Sequence, residues 1–170
     1  PLVMADILAL YATGETYTRT GAAGHDFGDY LDLIWSREKS AGEAAWRQVL
    51  APVVGPTLVA PGYTASKEVL PQDIRTQLTP DLVAGLEAAA RASGATLATA
   101  LQFAWAVFLS RLTGDRVVTF GETVSGRPAD LPGVESMVGL FINTLPVAVD
   151  VNPEATIADA LAALQADKVA

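Results

Sequence analysis

The sequence has no cysteine, and that absence excludes a disulfide framework, a thiolate nucleophile and a cysteine-based zinc site together. It holds one histidine, His25, with no second imidazole to help build a metal site. Basic residues are scarce. Eleven Lys and Arg against nineteen Asp and Glu give a net charge of −8, and no basic block is available to follow a phosphate backbone or coat an anionic bilayer. Nucleic acid and membrane surfaces are therefore not expected partners. No export signal is visible either, because the apolar start PLVMADILALYATG lacks a basic flank and contains Asp6. The longest hydrophobic run, LATALQFAWAVFLSRL from Leu97 to Leu112, carries Gln102 and falls short of the roughly 20 residues a membrane-spanning helix needs. These absences leave the compartment open and allow the cytoplasm, which is the expected location.

What is present suffices for a core: 51% of the 170 residues are hydrophobic, at the length of one ordinary domain. Leu2, Val3, Ile7, Leu10 and Tyr11 gather on one side of a helix that Gly14 can stop. No capping residue precedes Pro1, and TIADALAALQADKVA ends without a helix stop, so the chain reads as an excerpt. A Gly, Thr and Ala loop follows to Phe27 and includes His25. Helical spacing resumes from Asp29, with Leu33, Ile34, Trp46, Val49 and Leu50 as buried candidates and Gly42 as the break between two helices, or the kink in one. Three prolines and two glycines between Ala51 and Ser66 mark an extended linker.

The second half alternates strands and helices. Ile74, Thr76 and Leu78 suggest a strand, and Thr79-Pro80-Asp81 supplies a cap, a first-turn proline and a favourable negative charge for a helix to about Ser93. The next helix, Leu97 to Leu112, is apolar on nearly every side and is expected to be enclosed by neighbours. RVVTFGETV (116–124) reads as a strand ended by the turn Ser125 to Pro128, and a second strand runs from about Leu140 to Val151. Thr156 and Asp159 have capping-box spacing before a final helix with Ile157, Leu161 and Leu164 on one face. The mixture predicts a two-layer α/β sandwich.

Three places could carry chemistry. Asn143 and Thr144 interrupt the apolar LFINTLPVAV, where an unpaired buried polar group costs about 1–3 kcal/mol, so they line a cavity or form part of a satisfied bulge or edge strand beside Pro146. In the SGRP turn, Gly126 permits a close backbone approach and Arg127 offers a planar, permanently charged set of donors; the plainer reading is a polar loop. Glu122 is a base, the partner of Arg116 or Arg127, or, as the commoner explanation, an exposed strand charge, and no catalysis is assigned to it. His25, in GHDFGDY, is expected to be a solvated loop residue. Asp26-Phe27-Gly28 matches the kinase magnesium motif by coincidence, since no glycine-rich or catalytic-loop signature accompanies it.

The strings themselves say more. TFGETVSGRPADLPGVESMVGLFINTLPVAVDV (119–151) closely resembles the stretch of non-ribosomal peptide synthetase condensation domains in which a strand, an SGRP-type turn, LPGVE and a VGxFxNT motif occur in that order. YLDLIW (30–35) is similar to the family's Tyr-x-Asp-(Phe/Tyr)-x-x-Trp motif through Tyr30, Asp32 and Trp35, and Val138 and Gly139 open the later one. The resemblance spans essentially the whole chain. It implies a chloramphenicol acetyltransferase-like lobe, incomplete without its partner lobe, with residues 1–14 as the helix after the His-His-x-x-x-Asp-Gly motif. Residues 15–66 would be a loop, helix and linker between lobes, and 67–170 most of the C-terminal lobe. That histidine motif is not in the sequence, so no catalytic residue and no metal ligand is assigned, and the piece alone is expected to be inactive.

In the complete domain the resemblance implies amide formation between two carrier-bound groups, in a tunnel between the lobes. Ser125, Gly126, Arg127, Phe141, Asn143 and Thr144 would form its wall and floor. The implied partners are the N-terminal lobe, peptidyl carrier domains and an adenylation domain; phosphopantetheine would arrive on the carriers, and no cofactor would be bound by this chain. VGLFINT favours condensation over epimerisation. A docking module without catalysis, holding carrier or adenylation domains, is the alternative expectation.

Overall fold

The computed structural model describes residues 2–14, 25–62 and 72–169. The loop expected before His25 lies mostly outside them, as do the end of the expected linker and the approach to Ile74. In order, the elements are α1 (Leu2–Thr13), α2 (Phe27–Ser36), α3 (Lys39–Val49), α4 (Pro80–Ala92), α5 (Leu97–Thr113), β1 (Val117–Ser125), β2 (Ile142–Asp150) and α6 (Ile157–Val169). The described strands form one sheet. The Gly126 amide donates to the Phe141 carbonyl at 2.8 Å and the Val151 amide to the Arg116 carbonyl at 2.9 Å, so the pair is antiparallel and its register is fixed at both ends. The chain divides into two compact units that interleave in sequence: residues 1–43 with 121–145, and 44–120 with 146–170.

In the second unit, period-two alternation turns Val118, Phe120, Val147 and Val149 to one face of the sheet, where Ala106, Leu109 and Leu164 of α5 and α6 complete a core. Val118 is 0% exposed. A satellite cluster of Ala90, Ala100 and Leu161 joins α4, α5 and α6, where small residues allow close approach. The helix ends follow local chemistry. Thr79 and Thr96 accept the Leu82 and Thr99 amides as N-caps, and Gly114 ends α5 at φ 82°, a left-handed conformation that costs glycine nothing. Thr156 accepts the Asp159 amide, and its hydroxyl donates to the Asp159 carboxylate at 2.7 Å.

Thr99, 0% exposed, donates to Gln165 Oε1 at 2.7 Å, and the same oxygen accepts the Thr96 amide at 3.2 Å. One side chain of α6 thus holds the first turn of α5. Thr99→Val keeps the shape and removes the hydroxyl, and is expected to cost about 1 kcal/mol, read as a lower urea midpoint at unchanged slope. Outside the core, Arg116 binds Asp150 through two N–H···O contacts of 2.5 and 2.8 Å, and this hydrogen bond raises the guanidinium pKa further above its ordinary value. Thr57, in the irregular segment after α3, accepts the Thr119 amide at 2.8 Å and so satisfies a β1 donor.

Four expectations need correction. Residues 72–79 carry no strand, and Ile74 is 94% exposed: the alternation is present, but no described strand pairs with it. The helical break falls at residues 37–38, not at Gly42, which sits inside α3 with nothing within 4 Å of where a Cβ would stand. Ile34 and Trp46 are exposed, not buried, while Leu33, Val49 and Leu50 are half-buried. Finally, α5 is enclosed on one side only. Leu101, Trp105, Phe108 and Leu112, spaced at three and four residues, form an exposed apolar stripe in which the Trp105 and Phe108 rings stack at 5.3 Å. No single described helix is long and apolar enough to cross a membrane.

Candidate functional site

All the residues singled out by the sequence motifs lie in the first unit. Its base is α2. Asp26 caps this helix: its side chain accepts the Gly28 amide at 2.6 Å while Asp29 accepts the Asp26 amide at 2.7 Å, a reciprocal capping box. Asp26-Phe27-Gly28 is therefore a helix start, and His25, exposed just before it, places Nδ1 3.3 Å from Asp29 Oδ2. The cap aims Phe27, Tyr30 and Leu33 at a buried cluster of Leu131, Val134, Met137 and Phe141. Phe141, 3% exposed, meets Phe27 edge-on at 5.1 Å and Tyr30 at 4.8 Å.

Two glycines let this packing close. A Cβ on Gly126 would stand 2.2 Å from the Phe141 carbonyl oxygen, and one on Gly139 would stand 2.1 Å from the Phe27 ring. Gly121 makes similar room for the Thr144 methyl. Between Gly126 and Phe141 the chain makes a long excursion whose one described helical turn is a 3₁₀ turn at Val134–Ser136, entered through Gly133 at φ 71°. A shallow depression of about 560 Å³, lined by residues of 129–136, opens on it. Arg37 at the end of α2 reaches Asp130 at 3.2 Å.

Arg127 is turned inward. It donates to the Val134 carbonyl and, at 3.1 Å, to the Met137 carbonyl, and its guanidinium carbon lies 4.0 Å over the centre of the Phe141 ring. Ser125, Asn143 and Thr144 are exposed, and Asn143 Oδ1 accepts the Thr144 amide at 2.8 Å. β2 runs unbroken from Ile142 to Asp150, so the two polar residues make no bulge and point to opposite faces. Thr144 shares a face with Ile142 and, through the register, with Ser125; Asn143 shares the other with Phe141. The six candidates thus divide into an inward-turned support, half-buried Gly126 and Arg127 with buried Phe141, and exposed polar groups on both faces of the strand pair. Tyr30 supports the same cluster, whereas Asp32, Val138 and Trp35 are exposed, Trp35 by 68%.

The sequence reading missed Phe27 and the buried trio Leu131, Val134 and Met137. Their signals were local: the Asp26 to Asp29 spacing marks the cap that orients Phe27, and the three apolar residues recur every third position, the period of a 3₁₀ turn. Among the described residues no group of His, Cys, Asp or Glu is clustered to hold a metal ion. No described buried side-chain polar atom lacks a hydrogen-bond partner.

The backbone superposes on the first condensation domain of the CDA synthetase with a TM-score of 0.70 at 20% identity, covering 99% of this chain and 37% of that one. A complex of the first condensation domain of the calcium-dependent antibiotic synthetase with a substrate analogue gives 0.68 at 22% identity, with 99% and 39% covered. The fold is therefore that of the chloramphenicol acetyltransferase-like condensation domains. The family profile for the condensation domain matches residues 1–170, and the chain belongs to that family, as found in non-ribosomal peptide synthetases. It is 40% identical over 177 residues to a linear gramicidin synthase protein of Brevibacillus parabrevis, covering 97% of the chain and 2% of that protein. To a mycosubtilin synthase protein of Bacillus subtilis it is 34% identical over 164 residues, with 95% and 6% covered. The chain thus spans a few per cent of the length of these curated relatives.

Proposed function

We propose that this chain is part of a condensation domain that forms an amide bond between an aminoacyl or peptidyl thioester on one carrier domain and the amine of an aminoacyl group on another. The observation that carries the reading is the family match over residues 1–170, with YLDLIW, SGRP, LPGVE and VGLFINT in family order. In the reaction the acceptor nitrogen attacks the thioester carbonyl, a C–N bond forms, the C–S bond breaks, and the proton lost by nitrogen ends on the departing thiol. Phosphopantetheine supplies that thiol and belongs to the carriers, which with an adenylation domain are the proposed partners in the cytoplasm. The proton-handling histidine belongs to the family's His-His-x-x-x-Asp-Gly motif in the other part of the domain. His25, paired with Asp29 at the start of α2, is not assigned that task.

The part played by these residues is positioning. Holding two reactants in line lowers a bimolecular barrier by removing the orientation entropy in advance, by up to about 7–11 kcal/mol in well-aligned systems. Ser125 and Thr144 present polar groups on one face of the strand pair and Asn143 on the other, and Gly126, Arg127 and Phe141 hold the end of the pair that carries them. The exposed apolar faces of α1 (Val3, Met4, Ile7, Leu8) and of α5 support a further reading, that the rest of the domain covers them and that this chain alone is inactive.

The test is amide formation by the whole condensation domain containing this chain, given loaded donor and acceptor carriers. Dipeptidyl carrier is the expected product, and Asn143→Ala with Thr144→Ala is expected to lower its rate about tenfold or more. A soluble domain that binds both carriers yet makes no amide would overturn the assignment in favour of a docking module, for which the double variant would be silent.

A further inference from the structure

Arg127 is charged at every accessible pH and suited to meeting an anion, yet its guanidinium is half-buried and its arms are committed within the protein. Two of its N–H groups reach the Val134 and Met137 carbonyls, at the start and just beyond the end of the 3₁₀ turn, and its flat face lies on Phe141. The Val134 carbonyl also accepts the Met137 amide at 3.3 Å, so arginine and turn close on the same oxygen. The excursion from Gly126 to Phe141 has the length at which irregular connections are usually functional, and this cation is its central brace.

We infer that Arg127 is a positioning residue: it does not touch substrate but sets the place of the Val134–Met137 turn above Phe141, and with it the course of Val138 and Gly139 toward the strand that carries Asn143 and Thr144. The inference rests on the proposed function, in which Asn143 and Thr144 help to position the reactants and Gly126, Arg127 and Phe141 support the strand pair that carries them. Lysine cannot replace it fully, because an ammonium carries the charge over the ring without the planar fork that bridges two carbonyls.

The experiment uses the whole condensation domain with loaded carriers, in wild-type, Arg127→Ala and Arg127→Lys forms. Arg127→Ala is expected to lower kcat about 10²-fold, as displacement by about an ångström at a reacting centre does, while KM for either carrier changes less than about twofold. Arg127→Lys should recover about tenfold of that loss. Amide hydrogen exchange should quicken between Leu131 and Gly139 and stay unchanged in α5. Unaltered kcat in Arg127→Ala, or a kcat loss accompanied by equal quickening of exchange in α5, overturns the inference, the second because it marks general destabilisation. Should the alanine variant fail to fold, the lysine variant decides: full kcat sinks the idea, and reduced kcat with local quickening alone supports it. A wild-type domain that makes no amide sinks the proposed function instead, and is recognised before any variant is compared.

Discussion

Phe141→Ala is expected to destabilise the condensation domain by about 3–5 kcal/mol, the range for truncating an enclosed aromatic ring. The magnitude follows from what the ring does. It fills the centre of the first unit, touching Phe27 and Tyr30 at ring separations of 5.1 and 4.8 Å, and it is the surface on which the Arg127 guanidinium rests. Truncation leaves a void between α2 and the excursion, and a half-buried cation above it. Urea unfolding checks this: the midpoint should fall while the slope is kept. Phe141→Leu, which keeps much of the volume but not the ring face, should recover part of the loss, and a double-mutant cycle with Arg127→Ala should return a coupling of about 0.5–2 kcal/mol for the stacked pair. A midpoint unmoved by Phe141→Ala would show that the cluster is not the core of this unit.

Gly126→Ala is the second large effect, and here one methyl group decides it. The new Cβ would stand 2.2 Å from the Phe141 carbonyl oxygen, the same oxygen that accepts the Gly126 amide at 2.8 Å. A side chain could swing away from such a contact; a backbone carbonyl cannot move without opening the bond that closes the strand pair. Overpacking of this kind costs about 1–3 kcal/mol, and loss of the closing bond adds about 1 kcal/mol. Gly42→Ala is the matched control, because that glycine sits within α3 with open space around it, and alanine there should stabilise the helix by about 0.5–1 kcal/mol. Thermal unfolding of the two variants should therefore move in opposite directions, and a shift of the same sign in both would contradict the steric account.

Where the sequence reading succeeded, the physics was local. Thr79-Pro80-Asp81, Thr96 and Gly114 act through atoms a few residues away, so the bounds of α4 and α5 could be read directly. Strands β1 and β2 were visible as β-branched runs flanked by turn residues. Ile74 to Leu78 shows the limit of that reasoning: alternation describes a strand only when another strand accepts its hydrogen bonds, and local sequence does not say whether one will. The stripe on α5 shows it again, since an all-round apolar helix must be covered, but nothing in its residues says by what.

The site divides along the same line. That Asn143 and Thr144 face opposite ways follows from a strand's period of two and was available from the start. The inward turn of Arg127 was not, because its acceptors come into being only when Leu131, Val134 and Met137 pack beneath Phe27 and Tyr30. The family resemblance located the turn correctly along the chain without indicating that its charged residue braces the backbone.

The interleaving of the two units has a consequence for biosynthesis. The apolar side of α2 leaves the ribosome early, whereas its partner Phe141 emerges only after most of the second unit has been made. At about 5–20 residues per second the nascent helix must wait on the order of ten seconds before Phe27, Tyr30 and Leu33 can meet Phe141. Over that interval the cluster lacks its central ring, and slower translation between residues 44 and 120 would lengthen the window in which transiently exposed apolar surface favours aggregation.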